Sequence, residues 1–136
     1  MFLASATEQV LATGVSAGFG LEDDSHIIKV YNPKQPSLVL DQASVPEPDD
    51  QSHKLKLVGS AMAAVHIVAA MEAMSLGVKV GLEPHKLFDI IATAAGTSPM
   101  FTTRVPQLLS GKWTLDKSIN DVIKELASTR THFSRL

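Results

Sequence analysis

The chain has 136 residues, 19% of them charged and 45% hydrophobic, so it is long enough for one domain with a real core and is not disordered throughout. Its formal net charge of −2, from 12 basic and 14 acidic residues, and its 5% aromatic content give no footprint for nucleic acid. With no cysteine there is no disulfide framework, thiolate zinc site or thiol nucleophile.

The start, Met1 to Glu8, has no basic region, and Glu8 interrupts its apolar run, so it does not read as a signal peptide. Residues 1–50 read as an irregular arm. Short β-like runs lie at Phe2–Ala4, His26–Tyr31 and Ser37–Leu40, punctuated by Pro33, Pro36, Pro46 and Pro48. Gly14, Gly18 and Gly20 faintly suggest a dinucleotide loop. The third glycine of Gly-x-Gly-x-x-Gly is Asp23 here, followed by Asp24, and two carboxylates oppose a pyrophosphate. Val45–Asp50 reads as a linker, because its two prolines disfavour helix in the residues before them.

Residues 51–136 change character and read as helical. Asp49, Asp50 and Ser52 suit a helix start, and no proline follows until well past Val80, where Gly81 suits the C′ position. The expected helix is about 28 residues long, dense in small residues and apolar nearly all round, which predicts burial among other helices or a partner subunit. Its longest uncharged run, Leu57–Met71, is 15 residues, roughly 22 Å at ~1.5 Å per residue. A bilayer core needs ~30 Å, so the reading is a soluble, cytoplasmic protein with no membrane span. Pro84 starts a second helix that runs to Ala95 before Gly96. Ser98-Pro99 starts a third, expected to bend or break near Pro106 and to stop before Gly111. Thr114 or Asp116 caps a last helix, with Ile119, Val122, Ile123, Leu126 and Phe133 near one face. The fold class is therefore mainly α, multihelical, with one long central helix and a short irregular or β-containing N-terminal arm. Residues 1–50 form the arm and linker, and residues 51–136 the helical domain.

Few residues offer chemistry. Lys56 and Ser60 are i and i+4 on the long helix and share a face. A lysine at the edge of an apolar segment can be tuned for proton transfer, or can simply snorkel to solvent. Gly96, Thr97 and Ser98 offer backbone N–H groups at a helix N-terminus, a place for a carboxylate, although Ser98 also suits plain capping. Lys124 lies between surface acids Asp121 and Glu125 and suits an ion pair. His66 reads as a hydrogen-bonded buried histidine rather than a catalyst. The five histidines show no metal-ligand spacing.

Three segments together carry a resemblance. The run from Lys56 through Gly59, Ser60, His66 and Glu72 to Leu82 is similar to the long helix of the β-hydroxyacid dehydrogenase family. That family includes the 3-hydroxyisobutyrate and tartronate semialdehyde dehydrogenases and, more distantly, 6-phosphogluconate dehydrogenase. Ala95–Phe101 resembles its Gly-x-Ser-Trp segment, and Lys124-Glu125-Leu126 its Lys-Asp-Leu segment. Val65-His66-Ile67 and Met100, Phe101 and Arg104 look most like the L-threonate dehydrogenase branch. The resemblance implies an NAD(P)-dependent enzyme whose all-α C-terminal domain binds substrate and builds a homodimer beside a Rossmann domain. It implies Lys56 as the catalytic lysine and Lys124 as the lysine near NAD or NADP. Substrate contacts of a small hydroxy acid fall at Ser60, Gly96, Thr97 and Ser98.

The chain departs from the family pattern at Ser60, where the family has asparagine, and at Pro99, where it has tryptophan. No Gly-x-Gly-x-x-Gly half precedes Lys56. The chain therefore reads as trimmed at both ends and inactive unless another chain supplies the nucleotide half. The alternative is a non-catalytic helical dimerisation or interaction module, or a truncated product.

Overall fold

The computed structural model describes residues 1–31, 48–112 and 117–133, and it divides the chain into Met1–Pro46 and Glu47–Leu136. Every regular element among the described residues is helical.

In the first unit, α1 spans Phe2–Gly14 and runs on into a π-helical turn, Val15–Phe19, kinked at Gly18 with φ 93°. A 3-10 turn, Asp24–Ile27, leads into the single turn α2, Ile28–Tyr31. The β-like runs at Phe2–Ala4 and His26–Tyr31 are thus corrected to helix, while Ser37–Leu40 lies outside the described residues. Hydroxyl side chains explain part of the change. Thr7, Thr13 and Ser16 donate to the carbonyls of Leu3, Gln9 and Ala12, each at 2.9 Å, so they bond within the helix instead of competing with it. Asp23 starts the second stretch by accepting from the Ser25 N–H at 3.0 Å. A helix, not a strand, precedes Gly18 and Gly20.

Around the second unit's long helix, α3 (Pro48–Lys79, 32 residues), the remaining helices gather. Pro48 stands in its first turn, where no intrahelical N–H bond is lost, so helix begins inside the expected linker. Capping by Asp49 or Asp50 lies outside the described side chains, and Ser52 sits within the helix. Its end is built by Gly81. With φ 89°, Gly81 donates to Val78 O at 3.0 Å and Leu82 to Gly77 O at 2.9 Å, the paired bonds of a Schellman motif.

Helix α4 spans Pro84–Ala92 and ends three residues before the expected Ala95. Gly96 is not among the positive-φ glycines and closes nothing. The cap at the other end is Glu83, whose carboxylate accepts from the N–H groups of His85 at 2.9 Å and Lys86 at 2.6 Å. Helix α5 spans Pro99–Ser110. Ser98 caps it by accepting from Phe101 N at 3.1 Å, and Gly111 closes it in the left-handed region. The expected interruption at Pro106 is overruled: the helix continues through it. The neighbouring Val105 is fully buried, and packing outweighs one lost hydrogen bond.

The core joins Ala70 and Met74 of α3 to Phe101 and Val105 of α5, with Leu87, Phe88 and Ile91 of α4 against it. Phe88 and Phe101 stack with centroids 5.7 Å apart. Gly77 lets α4 close in, since a Cβ there would stand 2.1 Å from Leu87 Cδ2. Helix α6, Ile119–Phe133, packs on the other half of α3. Its start is a capping box. Ser118 Oγ accepts from Asp121 N at 3.2 Å, and the Asp121 carboxylate accepts from Ser118 N at 3.1 Å. Ser118 thus takes the role expected of Thr114 or Asp116, which lie outside the described residues.

The sequence predicted burial of α3 nearly all round, and the single chain covers only part of it. Leu57, Ala64, Ala70 and Met74 are buried, while Leu55, Val58, Met62, Val65 and Val68 remain exposed. Over Gln51–Lys79 the helix is also long and apolar enough to cross a membrane, by length and composition alone. It is about twice the length of the uncharged run, so length does not decide its setting. Helices α4, α5 and α6 pack on it, and 22% of its most apolar window is buried inside the chain.

Two measurements test this fold. In urea denaturation, Phe101→Ala should cost about 3–5 kcal/mol and Ser98→Ala about 1 kcal/mol. A Phe101→Ala loss under about 1 kcal/mol would place the core elsewhere. The bonds from His85 N and Lys86 N hold the Glu83 carboxyl below its ordinary value of 4.5. A carboxyl lowered by folding stabilises above its unfolded value, and that stability is lost as pH falls through the folded value. Melting temperature should therefore drop on acidification below about 4.5, with a shallower drop in Glu83→Gln.

Candidate functional site

Lys56 is exposed on the first half of α3, and Ser60, half-buried, follows one turn later on the same face. What stands beside them is decided by the direction of α6. His132 meets His53 with ring centroids 5.9 Å apart, and Thr129 Oγ1 donates to Leu57 O at 3.3 Å. Glu125, one turn before Thr129, stands on the same side of α6, and the Ser60 hydroxyl is among the groups that lower its carboxyl pKa. Descending numbers on α6 meet ascending ones on α3, so the two helices run antiparallel. That arrangement delivers a carboxylate to Ser60 and Lys56.

Glu125 is the electrostatic centre of this corner. Lys117, just before α6, pairs with it directly. That bond, above all, holds the Glu125 carboxyl below its ordinary range, with the Ser60 hydroxyl and the charges of Lys117 and Lys56 adding to it. Both side chains of the Lys117–Glu125 pair are 38% exposed, so solvent and ligands reach it. Lys124, adjacent in sequence, is exposed on α6.

Gly96, Thr97 and Ser98 stand elsewhere. With His66, Ala69, Ala70, Ala73, Ile91 and Phe101 they line a cavity of about 220 Å³ between α3 and the start of α5. Gly96 and Thr97 are exposed and Ser98 is half-buried. His66, ten residues beyond Lys56, sits about 15 Å further along the helix axis. The structure therefore brings Lys56 and Ser60 together and sets Gly96–Ser98 apart from them. His66 is half-buried at a cavity wall rather than enclosed in the core. Among the described residues no group of three or more His, Asp or Glu could hold a metal ion.

Sequence reasoning passed over Glu125 and Lys117. The sequence offered Glu125 only as a surface ion-pair partner for Lys124 and as the middle of Lys124-Glu125-Leu126, and nothing local pointed to Lys117, which pairs with it. A carbon-13 titration of the Glu125 carboxyl should give a midpoint below 4.5, and Lys117→Met should raise it. An unchanged midpoint in that variant would remove Lys117 from the corner.

Comparison with known proteins adds identity to this geometry. A family model described as the NAD-binding domain of NADP-dependent 3-hydroxyisobutyrate dehydrogenase matches residues 51–135. An L-threonate dehydrogenase of Cupriavidus necator is 42% identical over 73 residues, covering 54% of this chain and 25% of that protein. One from Haemophilus influenzae is 30% identical over 120 residues, covering 86% of this chain and 36% of the relative. One from Escherichia coli K12 is 32% identical over 72 residues, covering 53% and 24%. The chain thus spans about a quarter to a third of the length of these curated relatives. No solved structure matches it. Residues 51–135 hold the long helix, the loop of Gly96–Ser98 and the Lys56–Ser60–Glu125 corner, and over them the chain belongs to the NAD-binding domain family of NADP-dependent 3-hydroxyisobutyrate dehydrogenase.

Proposed function

We propose that this chain is the helical, substrate-side part of an NAD(P)-dependent dehydrogenase of small hydroxy acids, with Lys56 as its catalytic residue. The carrying observation is that Lys56, exposed, and Ser60, half-buried, share one face of α3 inside the matched family segment, next to a second helix. In this reading the Lys56 amine bonds the substrate hydroxyl and carries its proton, and Ser60 donates a hydrogen bond to the same molecule. The relatives named L-threonate dehydrogenase point to a four-carbon polyhydroxy acid as substrate. Gly96–Ser98 line the cavity beside His66, about 15 Å along the helix from Lys56, so one four-carbon acid does not touch both places. Residues 1–50 serve as arm and linker, and residues 51–136 as the substrate and dimerisation domain of a cytoplasmic enzyme.

Family membership implies NAD or NADP as the cofactor. The residues described here do not by themselves fit a dinucleotide: among them there is no strand to feed a glycine loop, and Gly18 and Gly20 lie in helical turns. Lys124, exposed on α6, is the lysine this reading offers to a cofactor held by another domain or chain. Hydride acceptance belongs to that cofactor, and the work of this chain is to bind the acid and hold the proton.

A second reading is a non-catalytic dimerisation module. The exposed side of α3, with Leu55, Val58, Met62 and Val65, favours it. In this reading the same surface pairs two copies of the chain. The two readings part on one experiment. The chain is combined with a Rossmann domain from a relative, and cofactor reduction is followed with L-threonate and 3-hydroxyisobutyrate. Turnover is expected, and Lys56→Ala should lower it about 10²–10⁴-fold. Full turnover in Lys56→Ala would end the catalytic assignment. A stable dimer that turns over neither acid would favour the module.

A further inference from the structure

The cavity beside His66 has a chemistry of its own. Ala70 and Phe101 belong to the core and also line the cavity, so its apolar wall is continuous with the core. Phe101 is 3% exposed and stacks on Phe88, which fixes that wall before anything enters. The polar lining is His66, Thr97 and Ser98. Among the described residues no hydrogen bond, ion pair or ring contact engages the His66 imidazole, so it keeps one donor and one acceptor to offer. Ser98 Oγ accepts from Phe101 N at 3.1 Å and still has its own proton to donate. Gly96 and Thr97 are exposed, so the cavity is reached from solvent.

Charge and size decide what fits. Among the described residues no Lys, Arg, Asp or Glu lines the cavity. The start of α5 does not make up for that. Pro99 has no N–H, and the N–H groups of Thr97, Phe101 and Thr102 already bond Ala94 O, Ser98 Oγ and Ser98 O. A carboxylate here would lose its water and gain no counter-charge. The loop expected to hold a carboxylate therefore suits an uncharged ligand instead. The volume of about 220 Å³ exceeds the roughly 150 Å³ of an engineered apolar cavity that takes up benzene, so one ring with a polar substituent fits. We propose that this cavity binds an uncharged, single-ring aromatic molecule carrying one hydroxyl or amide group. Its ring lies among Ala73, Ile91 and Phe101, and its polar group bonds His66 and Ser98. The walls come from α3, α4 and α5, so the ligand ties these helices together and stabilises them by mass action. This site is separate from the place of the hydroxy acid and does not rest on the dehydrogenase reading.

The test titrates the nitrogen-15-labelled full chain with phenol, toluene and benzoate and follows the amide signals. Phenol should bind saturably with a Kd of about 1 mM, moving His66, Gly96 and Thr97 and leaving Lys56 and Ser60 in place. Benzoate has the same ring but a charge, and should bind at least about 10-fold more weakly. His66→Leu keeps the bulk of the side chain and removes its hydrogen bond. It should weaken phenol about 5-fold and leave toluene unchanged. Ala73→Leu fills the space and should abolish binding of both, and Ala69→Leu serves the same purpose if that variant does not fold. The comparison of phenol with benzoate needs no variant at all. The proposal is overturned by benzoate binding as tightly as phenol, by phenol shifts centred on Lys56, or by phenol affinity that survives filling the cavity. Absence of a saturable shift at about 20 times the expected Kd would also overturn it. Turnover in the reassembled enzyme, or its absence, leaves each of these outcomes unchanged.

Discussion

Burying Ala70 and Met74 of α3 against Phe101 and Val105 of α5 is the contact on which residues 47–136 depend. It anchors the second half of α3, closes α4 over it through Leu87, Phe88 and Ile91, and fixes where the loop of Gly96–Ser98 can lie. Apolar burial at about 25 cal/mol per Å² outweighs local conformational preference here. Helix α5 shows this directly, running through Pro106 because its neighbour Val105 has no exposed surface at all. Gly77 contributes by absence, since any side chain there would collide with Leu87.

The other half of α3 is governed by a different balance. Its link to α6 is more polar and more open, built on the Thr129–Leu57 hydrogen bond, the His53–His132 ring contact and the Glu125 corner. A polar boundary of this kind leaves its charged groups within reach of solvent, which a fully dry interface would not. The division of labour along one helix is therefore physical. The apolar half supplies stability, and the half that carries Lys56 and Ser60 supplies accessible charge.

Much of the fold was legible in the sequence. The mainly α class, the long helix, its stop at Gly81 and the Ser98-Pro99 start all follow from local rules that the structure obeys. The misses are local and have separate causes. Phe2–Ala4 and His26–Tyr31 are too short for apolar pattern to separate helix from strand, and hydroxyl back-bonds and the Asp23 cap tipped them to helix. Glu83 was missed as a cap because glutamate seldom plays that part, and Ser118 because Thr114 and Asp116 offer the same capping chemistry a few residues earlier.

By itself the sequence determined which residues could act and on which helix they stood. Lys56 and Ser60 share a face because 3.6 residues make a turn, a rule that holds for any helix. It could not say what faces them. Whether Glu125 and Lys117 stand at that face, and whether Gly96–Ser98 join Lys56 or line a cavity with His66, depends on how helices pack across long stretches of sequence. The tertiary structure decided that, because direction and register between helices are set by side-chain interlocking over the whole interface rather than by any local motif.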